Sequence, residues 1–456
     1  ELLSHQNFAD MKFGLDPSFR FTVSRAIYKG MLKYLSARYG CPYVVQPLPI
    51  NSFSTSFLDE SKVRLSWKAT EDSLETTAEP TGYILQTRLD NGAFDTGRIL
   101  DKVNASGDNL STEVNIVPGH IYSYRIIAFN EGGKSFPSEV ISVGVPENGN
   151  GKSVLVVNNF TRVSAPAWFD TQEYAGFNSD LDAGVPYGKE INFIGPQYQF
   201  RRNLPWLDDD NPGFGASWTD EAGKVFAGNT FDYCGIHGKA LMAAGYSFHS
   251  SSVASFSADM SLAAKDKAID IICGKQITTV IGTGKVLDRF QVFPTELQKA
   301  ITDYTSNGGN VLISGANIGT DVWDEIYPVK KDSAYRATTK AFIEKTLGYK
   351  WLTNYASRSA TVCPKGNEML SLEAKEITFQ KDRNPVIYNV ETPDGIVPSC
   401  DKAKSFLIYS DTNISAGTCF EGNGYRTVCL GFPIEVIKDE KCTESLIKSI
   451  MTYLNK

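Results

Sequence analysis

A multi-domain chain is predicted: one amphipathic helix, then a β-sandwich, then a larger α/β domain built on a doubly wound parallel sheet. Three observations carry this. Apolar residues recur at three- and four-residue steps between Asp16 and Gly40, and short alternating segments separated by Gly, Asn, Asp and Pro fill the stretch from about Val44 to Val145. Beyond Lys152, continuous apolar runs alternate with helical stripes. A chain of 456 residues with 42% apolar content exceeds one ordinary domain, and the pattern divides it at 1–40, 41–147 and 148–456.

Composition excludes several functions. The net charge is −7 and the basic residues are scattered, so no field gathers phosphates and nucleic acid is not an expected partner. No segment reaches the roughly 18 consecutive apolar residues of a membrane span, and no signal peptide is present. Because the chain opens on Glu1 rather than Met, it reads as an excised piece whose missing leader says nothing about export. Its eight cysteines contain no C-x-x-C pair, which argues against a zinc knuckle or a thioredoxin-type site. They read as small buried apolar groups, with room for a disulfide among the five that follow Cys273.

Asp16-Pro17 has the form of an N-cap followed by proline at the first helical position, and Val23, Ala26, Ile27, Gly30, Met31 and Tyr34 form the stripe. Gly40 and Pro42 end the helix. A lone helix cannot bury a stripe, so this one is expected to pack its apolar face on a folded neighbour. Glu1 to Asn7 reads as an extended run. With Tyr28-Lys29-Gly30-Met31-Leu32 it resembles the last strand and helix of zinc-dependent N-acetylmuramoyl-L-alanine amidases. That resemblance makes Glu1 the counterpart of an acid/base glutamate beside the metal, here an inactive remnant. The family's His-Glu-His zinc set would lie upstream, so zinc is expected only there and the piece itself requires no cofactor.

In the middle segment Val63, Leu65 and Trp67 alternate along one strand, Tyr83 and Leu85 along another, and Tyr122, Tyr124, Ile126 and Ala128 along a third. The run Pro118-Gly119-His120-Ile121-Tyr122-Ser123-Tyr124-Arg125, followed by Asn130-Glu131-Gly132-Gly133, resembles the second half of fibronectin type III domains. The resemblance implies that Trp67 is the core tryptophan and that the Tyr122 hydroxyl ties the chain back on itself. It also implies a spacer or docking role.

The last domain opens on Val154-Leu155-Val156-Val157, and similar runs recur at Ile269 to Cys273, Val311 to Ile313, Phe406 to Tyr409 and Thr427 to Leu430. Thr295 to Tyr304 reads as a helix with a Thr-x-x-Gln capping signature, and Leu446, Ile447, Ile450, Met451 and Leu454 stripe the final helix. A doubly wound sheet binds ligands beyond its carboxyl strand ends, where Asn158, Asn159, Arg162, Asp232, Asn317 and Asp321 fall in sequence. Two long interruptions, Thr161 to Asn229 and Val322 to Asp401, are the candidate functional insertions. In the first, Trp206 and Trp218 suit the CH faces of sugars and Asp208, Asp209 and Asp210 suit calcium. His237 precedes an Ala-rich helix with Asp232 nearby and is the candidate general base.

Ser314-Gly315-Ala316-Asn317-Ile318-Gly319 has the form of a nucleophile elbow with an amide in place of the nucleophile. It resembles flavodoxin-like and class I glutamine amidotransferase-like folds that lack their reactive thiol. The order of parts, with Ala243 to Phe248, resembles a group of Bacteroidetes envelope proteins named xanthan lyases or N-acetylmuramoyl-L-alanine amidases. The resemblance implies a periplasmic, outer-surface or secreted protein whose present part is an accessory that binds polysaccharide or peptidoglycan without cleaving it. The alternative is a polysaccharide lyase or hydrolase with its site at the carboxyl end of the sheet.

Overall fold

The computed structural model describes all residues except 1–3, 5–6, 192–197, 202–213, 218–222, 280–288, 325–332 and 367–368. Two helices lead the chain, α1 (Phe8–Gly14) and α2 (Pro17–Tyr39). Sequence reasoning missed α1, which is capped by the Asn7 side chain accepting from the Asp10 amide at 3.2 Å. Helix α2 begins and ends where its punctuation predicts: the Asp16 carboxylate accepts from the Ser18 amide at 2.9 Å, and Gly40 turns left-handed at φ 66°. Its docking differs from expectation. Met31 and Tyr34 are 63% and 68% exposed, and the helix instead engages the sandwich through Arg25 on Asp72 (2.8 Å), Lys29 on Glu75 (3.1 Å) and the Tyr28 hydroxyl on the Gln46 amide (3.2 Å). Carboxylates on the facing loop meet the cationic side of α2, and this pairing turns the apolar stripe outward.

The sandwich pairs β1 (Asn51–Asp59), β2 (Lys62–Lys68) and β4 (Asn109–Asn115) in one layer and β3 (Gly82–Leu89), β5 (Ile121–Asn130) and β6 (Ile141–Gly144) in the other. Trp67 is 1% exposed and meets Tyr83 edge-on at 5.3 Å inside a core completed by Leu65, Leu85, Tyr124 and Ile126. The Tyr122 ring is half-buried and lies parallel to Tyr124, and among the described residues no hydrogen bond ties its hydroxyl back to the chain.

The sandwich is not strung on a linker. Strand β8 (Ser247–Ser252) enters between β1 and β6, touching Ser54 through Ser251 and Gly144 through Phe248. At this seam Thr55 exchanges two bonds with the Ser250 backbone (3.0 and 2.8 Å), and the Ser250 hydroxyl bridges the backbone of Ser142. His249 joins the Thr55 carbonyl (2.8 Å) to Asp266 (2.9 Å). One sheet thus runs from the sandwich into the large domain.

In that domain β7 (Ser153–Asn158) lies between β8 and β9 (Ala268–Gly274), followed by β10 (Asn310–Gly315) and β13 (Arg426–Leu430), all parallel. Val154 and Val156 face α3 (Cys234–Ala243) and α7 (Glu440–Leu454); Leu155 and Val157 face α4 (Val253–Ala258) and α5 (Thr295–Ser306). The sheet as a whole is mixed, which corrects the all-parallel doubly wound expectation. Strands β11 (Ala403–Tyr409) and β12 (Ser415–Glu421) continue it antiparallel, because the short connections from β11 through β12 to β13 allow hairpins rather than crossovers. Helix α5 buries Leu297, Ala300, Ile301 and Tyr304 as read, but Pro294 is its N-cap and Gln298 reaches back to the Phe293 carbonyl at 2.7 Å. No disulfide joins the eight cysteines, and no helix among the described residues is long and apolar enough to cross a membrane.

Candidate functional site

The polar residues at and after the parallel strand ends are held by neighbouring loops. Asn158, at the end of β7, donates to Glu139 at 2.7 Å, a bond from the large domain to the sandwich. Asn159 donates to the Val292 carbonyl at 2.8 Å and Asn317 to that of Gln276 at 3.3 Å. Asp321 accepts from the Thr278 and Val292 amides at 2.6 and 3.0 Å. Arg162 is wholly buried, donates to the Lys275 carbonyl at 3.0 Å and grips the Asp182 carboxylate. Lys275 closes the chain of charges on Asp182 (3.1 Å) and Glu391 (2.6 Å). Each buried cation therefore has a carboxylate, the condition under which charges are tolerated away from water.

The elbow position carries Asn317, an amide rather than a nucleophile. Asn317 lies outside the left-handed region that a strained elbow occupies, and it lines a small void of about 10 Å³ with Lys275 and Glu391, the volume of roughly one water. Asp394, which sequence reasoning missed, accepts from the Gly319 and Thr320 amides at 2.6 and 3.0 Å. Burial pushes its carboxyl up to about 7 against these bonds. Its only signal was a Pro-Asp-Gly turn inside the second insertion.

His237 and Asp232 sit elsewhere. Asp232 receives both guanidinium nitrogens of Arg88 from the sandwich, at 2.5 and 2.7 Å. His237 is wholly buried on α3 between Asp270 (2.7 Å) and Glu435 (3.3 Å), and Glu435 accepts from the Tyr388 hydroxyl at 2.7 Å. Burial opposes its charge, but the two carboxylates prevail and raise it to about 10. A histidine that stays protonated at neutral pH is a donor between two acids, not a general base. Among the described residues no group of His, Cys, Asp or Glu is placed to hold a metal ion. Glu1, Trp206, Trp218, Asp208, Asp209 and Asp210 lie outside the described residues.

A polar pocket of about 460 Å³ opens to solvent beside Glu391, the partner of Lys275. Asp180, Lys381, Arg383 and Asn389 surround it, Tyr355 presents its ring at 40% exposure, and Glu391 forms its floor. Tyr355 holds φ at 52°, a conformation rare for a bulky residue, and the Arg358 guanidinium lies 5.8 Å from its ring. The residue types suit hydroxyl recognition beside a stacking ring. Nothing in the sequence drew these residues together, since they come from both insertions.

Residues 48–144 match the fibronectin type III domain model. No curated protein matches the chain. Among solved structures the chain is similar to the fibronectin type III domain of human fibronectin type III domain containing protein 3, at 24% identity over 23% of this chain and 93% of that one, with a TM-score of 0.18. It is also similar to the FN5 domain of Drosophila Lar, at 22% identity over 22% and 97% of the two chains with a TM-score of 0.17. Chicken CNTN1 FN1-FN3 domains give 20% identity over 22% and 33%, with a TM-score of 0.18. With two antiparallel layers closed over Trp67, residues 48–144 are a fibronectin type III domain.

Proposed function

We propose that this chain is an accessory, polysaccharide-directed part of a cell-envelope protein, which holds a glycan at the carboxyl end of the mixed sheet without cleaving it. One observation carries the reading. The groups that a catalytic centre would need at the strand ends are bonded inward, while the pocket beside Glu391 presents Asp180, Lys381, Arg383 and Asn389 beside Tyr355. The fibronectin type III domain supports a binding or accessory role, and its fusion to β8 makes it a rigid support. The amidase or xanthan lyase parentage, the peptidoglycan or polysaccharide ligand and the envelope location belong to this proposal.

Calorimetric titration with solubilised peptidoglycan and with xanthan fragments tests it. Wild-type protein binds one of them, and Tyr355→Ala or Arg383→Ala weakens binding with the fold intact. Unchanged affinity in both variants removes the glycan from this pocket. The catalytic alternative draws on Asp394, whose carboxyl near 7 has the protonation of an acid/base group. Its burial weighs against that role. Release of shortened or unsaturated products, lost in Asp394→Asn, would establish it.

A further inference from the structure

A second opening lies on the other side of the large domain's first insertion, where three parts of the chain meet. Helix α2 contributes Arg20, Phe21 and Tyr28, the sandwich contributes Phe136, and the insertion contributes Tyr187 and Glu190, around a cleft of about 540 Å³. The rings form a row: Phe21 to Phe136 at 6.0 Å, Phe136 to Tyr187 at 6.1 Å, and Tyr187 to Phe231 at 5.5 Å. They are open to water, with Phe21 40%, Phe136 51% and Tyr187 52% exposed. Contiguous exposed rings are unfavourable for a surface unless something covers them.

The row is actively held. Phe231 sits at φ 56°, fixed by its amide donating to Asn229 at 2.9 Å and its carbonyl accepting from Val140 at 2.9 Å. Strain of this kind persists where the surroundings over-determine it, here with the ring set against Tyr187. Beside the rings, the Arg20 guanidinium and Glu190 carboxylate face each other through two contacts, one at 3.2 Å. Both reach solvent, their side chains being 42% and 22% exposed. A planar donor fork and a planar acceptor pair next to aromatic faces match what a pyranose presents: axial CH groups on its face and adjacent hydroxyls on its rim. The cleft volume falls within the roughly 300–1,000 Å³ of small-ligand sites.

We infer that this cleft is a second saccharide site, which stacks a neutral pyranose ring on Phe136 and Tyr187 and binds its hydroxyls through Arg20 and Glu190. The choice of ligand rests on the polysaccharide-directed reading above, but the site does not share a residue with the pocket at the strand ends. The ion pair neutralises the hydroxyl-binding groups, which favours an uncharged sugar over a uronate. Charged side chains along the rim disfavour a lipid surface.

The test is calorimetry of the full chain with cellohexaose, chitohexaose and oligogalacturonate, alongside sedimentation with neutral phosphatidylcholine vesicles. A neutral hexasaccharide binds, and Phe136→Ala and Tyr187→Ala each weaken it about tenfold, near the loss of one ring contact. Arg20→Ala weakens it as well, and all three variants keep the unfolding temperature of the wild type. Tyr355→Ala leaves this affinity unchanged, so failure of the strand-end pocket and failure of the cleft read out separately. The inference is overturned if the ring variants bind like wild type, if neither neutral hexasaccharide binds, if oligogalacturonate is preferred, or if the rings mediate vesicle binding instead.

Discussion

At the carboxyl end of the sheet Arg162, Asp182, Lys275 and Glu391 turn their charges on one another, whereas at the cleft between α2, the sandwich and the first insertion Phe21, Phe136 and Tyr187 turn their rings to water. The first cluster is polar and buried, the second apolar and open, the reverse of what burial alone would arrange. Polar residues after a strand mark a binding crevice only when their hydrogen-bonding groups remain available. Here the loops above the sheet use them as fasteners: Asn159 holds Val292, Asp321 holds Thr278, and Arg162 holds the loop at Asp182.

The contrast can be broken most severely at Arg162. Replacing it by Ala removes the guanidinium that Asp182 is buried against, and unfolding in urea should show a loss of about 3–5 kcal/mol. A loss under 1 kcal/mol would mean that water reaches the cluster.

His237 sharpens the same point through pH. Its folded pKa is raised from 6.5 to about 10, so it contributes stability that is fully present below pH 6.5 and lost as pH rises through 10. Wild-type stability should fall across that window, and His237→Gln should be less stable at neutral pH and lack that fall. If both proteins follow one curve, the triad with Asp270 and Glu435 does not hold its proton.

Asp394 gives a smaller effect in a different range. Burial raises its carboxyl from 3.8 to about 7, so the stability tied to its proton is present below pH 3.8 and lost as pH rises through 7. Asp394→Asn should flatten this part of the pH profile measured by thermal unfolding. The smallest effect belongs to the open region. Phe136→Ala and Tyr187→Ala should each change stability by no more than about 0.5 kcal/mol, as surface positions do, and a larger loss would return the rings to a packing role.

How much of this was legible follows from what one sequence displays. Trp67, Leu65 and Val63 announce a half-buried strand by alternation, and the stripe of α7 announces itself by its period. Strand β8 does not, because Ser-Phe-His-Ser-Ser-Ser has no apolar run and its burial depends on hydroxyl bonds to Thr55 and Ser142 in another domain. Phe406 to Tyr409 was found as a strand, yet its direction depends on the hairpin with β12. The same limit governs the sites. Asn158 ends β7, and Arg162 and Asn317 follow β7 and β10, but whether their groups point outward is decided by Glu139, Lys275 and Gln276, distant in sequence. Phe21, Phe136 and Tyr187 carry no shared signal, since each belongs to a different unit of the chain.

The central claim, binding without cleavage, is tested most directly by incubating the full chain with a bound oligosaccharide at saturation and following the ligand's chain length by mass spectrometry. The account predicts a ligand that stays bound and keeps its length, since among the described residues the polar groups at the strand ends are bonded inward. Shortened or unsaturated products that disappear with Asp394→Asn or with a strand-end variant would contradict it.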